Sequence, residues 1–292
     1  MDPRRLMIFR EVARAGSISA AARSLGWTQP AVSQHLSALE RQAGCALLLR
    51  SPRGVELTEP GRVLLARADA IAGQLHMADE ELATLTDLRA GRVRLAAYPS
   101  GAATLVPRAV AALRRQHPDV EVALTQAEPP EAVAMVQAGD ADLALAFSYD
   151  EEPLDNGGLV WRMLGSEAVD LIVGPGHPLV GGGTFSVGDL AEEQWIVGCE
   201  RCRAHAVALC DEAAFEPDVR HVSDDYVVVQ NLVAVGLGIA LLPRSALEAF
   251  RHPDVEVRRS TVLGSRTFGI VHPVGAETVP ATAAMIAVLS EP

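Results

Sequence analysis

The sequence predicts an α/β chain of three successive parts: a small helical head closed by a β-hairpin, one long helix, and a pair of α/β lobes. Three observations carry this expectation. Between Ser17 and Ala43 two helical patterns are joined by a Gly-containing turn. From Leu64 to Leu85 apolar residues recur at alternating steps of four and three, and beyond Ala90 strand-like and helix-like segments alternate to the end.

In the head, the first helical pattern opens at Ser19, whose hydroxyl can accept from an unpaired first-turn N–H, and runs through Ala20, Ala21, Ala22 and Leu25. Gly26 can take the positive φ that ends a helix, and Thr28 can cap the next one. Pro30 is tolerated in its first turn, where N–H groups lack partners. Val32, Leu36, Leu39 and Ala43 form the stripe that must be buried, and the opposite face shows Gln29, Ser33, Gln34, Ser37 and Arg41. Trp27 stands just before the cap, placed to staple onto Val32.

A short helix, a tight turn and a second helix with hydrogen-bonding side chains near its start is the helix-turn-helix arrangement, whose second helix fits the DNA major groove. An ordinary αα-hairpin is the alternative, and the flanks argue against it. Leu48 to Arg50 and Val55 to Leu57 read as two short strands around Pro52, Arg53 and Gly54, a wing that aims Arg53 outward.

The stretch from Leu6 to Gly61, LMIFREVARAGSISAAARSLGWTQPAVSQHLSALERQAGCALLLRSPRGVELTEPG, resembles the LysR-type transcriptional regulators in residue order and spacing. The resemblance implies a winged helix-turn-helix that binds DNA, followed by a two-lobed, periplasmic-binding-protein-like α/β domain that senses a small molecule. Carried over by position, Thr28, Gln29, Pro30, Ser33, Gln34 and Ser37 lie on the DNA-reading side, and Arg53 enters the minor groove. Two departures concern packing: Gly26-Trp27 replaces a polar-aliphatic pair, and Leu49 stands where an aromatic is common.

The charge distribution agrees. The chain has a formal net charge of -12, yet eight Arg against four acids up to Thr58 give the head +4 and leave −16 for the rest. All 25 basic residues are Arg, which a GC-rich coding bias explains more simply than function. No run approaches the roughly 20 apolar residues needed to span a bilayer. The N-terminus is amphipathic rather than a secretory signal, so a cytoplasmic protein is expected, with no membrane partner.

The long helix is expected from Glu59 to about Leu88, roughly 45 Å at 1.5 Å per residue, with Thr58 as its cap. Its seam of Leu64, Ala68, Ile71, Leu75, Ala78, Leu82 and Leu85 argues for pairing with a second subunit. The alternative is an amphipathic helix lying on its own domain. Two paired heads set two recognition helices side by side, so the target is an inverted repeat of promoter DNA. The family resemblance adds a dimer of dimers and RNA polymerase as a further partner.

The expected boundaries are a head over 1–58 with the helix-turn-helix at about 18–37, and a linker helix over 59–89. The effector domain takes 90–292, with lobe I at about 90–164 and 267–292 and lobe II at about 165–266. In lobe I, strands Val93 to Ala97, Val120 to Thr125 and Leu143 to Phe147 alternate with helices near Thr104 to Gln116 and Glu131 to Ala138. This is βαβ organisation with a mostly parallel sheet. A second unit runs from about Ala168 to Leu242, then a return strand near Phe268 to Val271 and a helix near Pro280 to Leu289. GDADLALAF (Gly139 to Phe147) and GLGIALLP (Gly236 to Pro243) resemble the same family's effector domain.

Ligands of open α/β sheets sit beyond the carboxyl ends of the strands. That points to Ser100 and Gly101 at a helix start, where free N–H groups and a hydroxyl suit an anion, with the plain helix cap as the alternative. The same rim offers Glu128, Phe147, Cys199, Cys202 and Arg203, along with the loop from Ser223 to Asp225. Cys199, Cys202, His205 and Cys210 form a compact cluster with three readings. The first is packing or pocket thiols; the second is a redox sensor acting through Cys199, Cys202 and Cys210; the third is a metal site, for which the spacing is too compressed to resemble a zinc finger. Cys45 is expected in the head's core. With no Walker, GxSxG or zinc-protease motif, neither an enzyme nor a cofactor is expected, and a solute receptor has no use for a DNA-reading head.

Overall fold

A computed structural model describes residues 1–51, 54–85, 91–149 and 158–291. The chain divides into two compact units, Met1–Leu82 with Gln137–Asp140, and Ala83–Val136 with Ala141–Pro292.

The head begins with α1 (Pro3–Ala15), capped by the Asp2 carboxylate on the Arg4 N–H at 2.9 Å. Next come α2 (Ile18–Ser24) and α3 (Gln29–Ala43), joined through Gly26 at φ +66. The cap of α2 is Ser17, not Ser19: Ser17 accepts from the Ala20 N–H, which puts Ser19 inside the first turn. Thr28 holds the cap position of α3 in extended backbone, without a side-chain hydrogen bond. Val32, Leu36 and Leu39 bury against Phe9, Val12 and Ala21, while Trp27 packs at the cluster's margin with its ring 5.2 Å from His35 and beneath Arg4.

Strands β1 (Leu48–Ser51) and β2 (Gly54–Leu57) pair antiparallel as the wing. Glu40 of α3 accepts the Leu47 and Leu48 N–H groups at 2.9 and 3.2 Å, so the recognition helix and the wing are fastened together. Arg53, like Pro52, lies outside the described residues. Cys45 is exposed, which corrects its expected place in the core: it follows the helix-ending Gly44, beyond the buried stripe.

Helix α4 spans Glu59–Leu85, and residues 86–88 of the expected span lie outside the described residues. The Thr58 hydroxyl accepts the Gly61 N–H at 3.0 Å, and Arg10 of α1 ion-pairs with Asp69 at 2.6 Å. The seam divides. Leu64 and Ala68 join the head's own core, and Ala68 at 0% exposure has no surface left for a second copy. Ile71, Leu75 and Leu82 stand 41%, 54% and 60% exposed, and the side chain of Leu85 lies outside the description.

The second unit runs β3 (Arg92–Ala97), α5 (Pro99–Gln116), β4 (Glu121–Gln126), α6 (Pro129–Gln137), β5 (Leu143–Ser148) and β6 (Leu159–Val173). It continues with β7 (Gln194–Val197), α7 (Glu200–Glu212), β8 (Asp218–Val222), α8 (Tyr226–Ala234), β9 (Ala240–Pro243) and α9 (Arg244–Ala249). Strands β10 (Glu256–Arg258) and β11 (Ser265–Pro273) and helix α10 (Pro280–Ser290) complete it. Helix α5 starts at Pro99 rather than near Thr104, because Pro at a first-turn position costs no hydrogen bond.

The mostly parallel sheet is corrected to a mixed one. Strand order is β10-β6-β11-β5-β3-β4, with β9 also on β6; β3 is parallel to β4 and β5, but β11 is antiparallel to β5 and β6. Strands β9 and β10 also pair antiparallel with β6, while β7 and β8 form a separate parallel pair. Strand β6, fifteen residues long, is the missed element. Its first half lies in the sheet of lobe I and its last residues, Val169 to Ile172, pair with β9 in lobe II. Together with β11 it forms the two-stranded ribbon that joins the lobes. A bulge at Phe268/Gly269 bends that ribbon, and a Cβ on Gly269 would fall 2.3 Å from the Arg162 carbonyl oxygen.

Each lobe keeps its own core: Leu95, Leu113, Leu145 and Met285 in the first, Leu171, Trp195, Val197 and Cys210 in the second. In the head, Leu36→Ala removes a fully buried side chain. It is expected to cost about 2–5 kcal/mol in chemical denaturation, seen first by loss of the head's transition; an unchanged profile would contradict the packing described.

Candidate functional site

Two surfaces carry chemistry. On the head, burial of Val32, Leu36 and Leu39 turns the other side of α3 outward. Thr28, Gln29, Pro30, Gln34 and Ser37 are exposed there and Ser33 is half-buried, a row of hydrogen-bonding groups beginning at the helix N-terminus. No acidic residue occupies the first turn of α3. Side chains of this kind on such a face can reach base edges and phosphates.

The second surface is a cavity of about 50 Å³ between the two lobes of the second unit. A larger hollow of about 750 Å³ between α5, β6 and α10 has an open wall of Arg, Met and Leu side chains, whereas the small one brings together Tyr98, Glu128, Cys199, Cys202 and Arg266. Its floor is Arg266 of β11, 2% exposed. The guanidinium donates to the Ser100 hydroxyl at 2.7 Å and to Glu167 at 2.9 Å, and lies 4.1 Å from the Phe147 ring and 4.9 Å from that of Tyr98. Glu167 in turn accepts the Ser245 N–H at 2.7 Å and its hydroxyl at 3.1 Å. Burial is the largest influence and opposes the charge on Arg266, but Glu167, Tyr98, Tyr149 and Cys202 together outweigh it, and the guanidinium pKa lies above its ordinary value. The same burial raises the Tyr98 phenol far above its usual range.

Glu128, ahead of α6, faces the cavity and behaves differently. Burial, with Cys199 and then Asp224 adding to it and Arg266 opposing, pushes its carboxyl up to about 8. Its Oε2 is buried without a hydrogen-bond partner among the described residues. Across the gap, Cys199 caps α7 and Cys202 sits in the first turn, with the Cys199 thiol donating to the Cys202 sulfur at 3.1 Å. That bond, more than burial, raises the Cys199 thiol, and it lowers Cys202, to which Tyr149 also donates at 3.5 Å. Tyr149 stacks on His205 at 4.1 Å, and its own hydroxyl is raised by burial.

The cavity thus brings together Ser100, Glu128, Phe147, Cys199 and Cys202, with Ser223 and Asp224 on its rim. Gly101 lies behind it: a Cβ there would meet the Tyr98 ring at 2.8 Å, so this glycine lets the ring lie flat under α5. Arg203 is exposed and does not line the space, because α7, which starts at Glu200, turns that side chain outward. Asp225 is spent capping α8 on the Val227 N–H at 2.8 Å. Tyr98, not Ser100, occupies the cap position of α5, and the Ser100 hydroxyl is committed to Arg266. Cys210 leaves the thiol cluster for the core of lobe II, where burial pushes it up to about 11. Among the described residues no three His, Cys, Asp or Glu side chains converge to hold a metal.

Arg266, Glu167, Ser245 and Tyr226 are the site residues missed by the sequence reading. One signal was available: Arg266 and Phe268 share a strand face by alternation, so a charge pointed inward beside an apolar run.

Two family models match the chain, one over each part. Residues 3–62 match the bacterial regulatory helix-turn-helix proteins of the lysR family, and residues 86–291 match the LysR substrate binding domain. The chain is similar to the transcriptional dual regulator GltC of Bacillus subtilis, 28% identical over 283 residues that cover 96% of this chain and 93% of that one. It shares its fold with a full-length OxyR variant from Pseudomonas aeruginosa, at TM-score 0.72 and 20% identity over 99% and 94% of the two chains. It shares it also with full-length CbnR complexed with its target DNA, at TM-score 0.61 and 23% identity over 99% of each.

The raised Glu128 carboxyl predicts a pH effect of definite sign. Between its ordinary value of 4.5 and about 8, the folded protein holds a proton that the unfolded chain has released, so stability contributed at this site falls as pH rises through that interval. Glu128→Gln is expected to make the thermal midpoint less pH-dependent between about pH 5 and 8 than in the wild type. Parallel curves for the two proteins would contradict the burial argument.

Proposed function

The chain belongs to the LysR-type transcriptional regulators, a family of DNA-binding regulators rather than enzymes, and from that premise we propose how it works. It binds inverted repeats in promoter DNA as a dimer or a dimer of dimers, and its DNA-bound assembly responds to a small-molecule effector held between the two lobes. The observation that carries this reading is the exposed polar face of α3, from Thr28 to Ser37, standing over a buried Val32–Leu36–Leu39 stripe. In the roles proposed, Gln29, Ser33 and Gln34 reach base edges and Arg53 supplies a minor-groove contact from the wing.

Pairing of two copies is supported by Ile71, Leu75 and Leu82, which leave a row of large apolar side chains uncovered along α4. The domain limits we assign follow the sequence: a head to residue 58, a linker helix to 89, and an effector domain beyond it. RNA polymerase is the further partner at an activated promoter. No helix among the described residues is long and apolar enough to cross a membrane, in keeping with work on chromosomal DNA in the cytoplasm.

The effector position is supported by the burial of Arg266, Ser100 and Glu128 around one cavity. Its size in this conformation, about 50 Å³, is well below the roughly 300 Å³ at which drug-sized ligand sites begin, so the lobes must part for a ligand larger than a few heavy atoms. A second reading, regulation through thiols, is favoured by the 3.1 Å separation of the Cys199 and Cys202 sulfurs and no longer includes Cys210.

Gel retention on the promoter DNA adjoining the gene tests the reading. Gln29→Ala or Ser33→Ala is expected to relax preference for the native repeat by about 1–3 kcal/mol, whereas Arg53→Ala weakens binding to all sequences and lowers the salt slope by about 1. Leu75→Glu is expected to halve the particle mass in sedimentation and to abolish preference for the two-fold site. Retention with neither salt dependence nor sequence preference would overturn the proposal.

A further inference from the structure

Cys199 and Cys202 do more than touch each other. Each also reaches across the seam between the lobes: Cys199 hydrogen-bonds Glu128 ahead of α6, and the Tyr149 hydroxyl, one residue beyond β5, donates to Cys202. We propose that this thiol pair is a redox-sensitive clasp across the seam. Joined as a disulfide by a small hydroperoxide, it gives up both cross-lobe hydrogen bonds and resets the cavity. The inference rests on reading that cavity as the effector site and deepens it by naming how the site is regulated.

The geometry suits closure. A disulfide needs its sulfurs about 2 Å apart, so the pair must approach by about 1 Å from 3.1 Å. Cys199 sits at the cap position, where its carbonyl accepts the Arg203 N–H at 2.8 Å, and the sulfurs can close by turning the side chains with that bond kept. No other thiol competes among the described residues: Cys210 is buried in the lobe II core at the far end of α7, and Cys45 is on the head.

The two sulfurs are not equivalent. Cys202 accepts hydrogen bonds from both Cys199 and Tyr149, lies in the first turn of a thirteen-residue helix, and feels the Arg266 charge. Negative charge therefore collects on Cys202 while Cys199 keeps its proton, against the opposing influence of Glu128. Cys202 is the attacking thiolate and Cys199 the resolving thiol. In the first step an S–O bond forms to one oxygen of the hydroperoxide as its O–O bond breaks, and the departing alkoxide or hydroxide takes a proton from solvent. In the second, the Cys199 sulfur attacks the Cys202 sulfur. The S–S bond forms, the S–O bond breaks, and the hydroxide leaves with the Cys199 proton as water. Two thiols lose two electrons in all, and the hydroperoxide is reduced to an alcohol, or to water, plus water. A cavity of about 50 Å³ admits an oxidant of a few atoms and excludes a bulky disulfide.

The consequence follows from what the sulfur holds. Tyr149 stacks on His205 of α7 and meets the edge of Phe147 at 5.8 Å, whose ring lies under Arg266. A disulfide sulfur has neither the charge to hold the Tyr149 hydroxyl nor a thiol's strength as acceptor for the protonated Glu128 carboxyl.

The test uses the full chain as Cys45→Ser/Cys210→Ala, which leaves two of its four thiols, exposed to hydrogen peroxide. The expected result is loss of both thiols, a mass lower by two hydrogen atoms, recovery with dithiothreitol, and a shifted thermal midpoint. Adding Cys199→Ser is expected to trap a dimedone-reactive sulfenic acid on Cys202, while Cys202→Ser leaves Cys199 unreactive. Tyr149→Phe is expected to slow alkylation of Cys202 near neutral pH and to move its pH profile upward, which mere loss of packing would not do. Should Cys210→Ala unfold the protein, the wild type serves, since trypsin cuts after Arg201 and a disulfide then appears as two linked peptides. Thiols that survive peroxide, oxidation that starts at Cys199, or a disulfide that leaves the thermal midpoint unmoved would each overturn the clasp. If the reduced protein still shows salt-dependent, sequence-preferring DNA retention in those cases, only the clasp fails; if retention is absent too, the regulator reading fails with it.

Discussion

The second unit is organised around one buried ion pair. Arg266 and Glu167 are direct neighbours across the antiparallel β6–β11 ribbon, held opposite each other by its register and 2.8 Å apart. Each hand of the pair holds a different lobe. Arg266 donates to Ser100 at the start of α5, and Glu167 accepts from Ser245 at the start of α9. Breaking such a pair from one side leaves a buried charge alone, typically at a cost of about 3–5 kcal/mol, so the ribbon's register and the lobes' approach are set by the same four side chains. The aromatic rings of Tyr98 and Phe147 then pack against the guanidinium and exclude water from it.

The head solves a different problem with simpler means. Its recognition helix must keep a polar face free, so it cannot be steadied from that side. The steadying comes from behind, where Glu40 ties α3 to the wing and the Arg10–Asp69 pair ties α1 to the linker helix. Those polar contacts sit beside an apolar core of Leu36, Leu39 and Phe9, and none of them uses a residue of the DNA-reading face.

What the sequence disclosed follows the range of the forces involved. The head was legible because its signals are local: a positive-φ glycine, a first-turn proline and a stripe at helical spacing all lie within thirty residues. Even there the helix start slipped by two, since Ser17 and Ser19 offer the same hydroxyl and only tertiary packing chooses between them. The long strand β6 was not legible. Its residues Glu167 and Asp170 interrupt any alternation, because they answer partners about 75–100 residues away. Arg266 escaped for the same reason, being explained only by Glu167 and Ser100, 99 and 166 residues distant. The rim residues Ser100, Glu128, Cys199 and Cys202 were found because a general rule about strand ends, independent of partners, selects those loops. That rule selected Gly101 and Arg203 equally well, and only the packing of Tyr98 and the start of α7 tell them apart.

A signal can shift this protein between states only if it acts differently on two arrangements of the lobes. The ribbon pair and the cavity contacts divide that work. Arg266 and Glu167 sit on the strands common to both lobes and, being buried and mutually neutralised, are too costly to separate at each event. The contacts on the other side of the cavity, Tyr149 to Cys202 and Glu128 to Cys199, join the lobes through weak sulfur hydrogen bonds and a carboxyl that burial keeps uncharged near neutral pH. Opening therefore costs little on the thiol side and much on the arginine side, and the bulge at Gly269, on the same ribbon, is where the backbone is already bent. A ligand too large for the present cavity must work against the weaker side. The motion it drives is a hinge about β6 and β11, with the thiol edge of the cavity as the edge that parts.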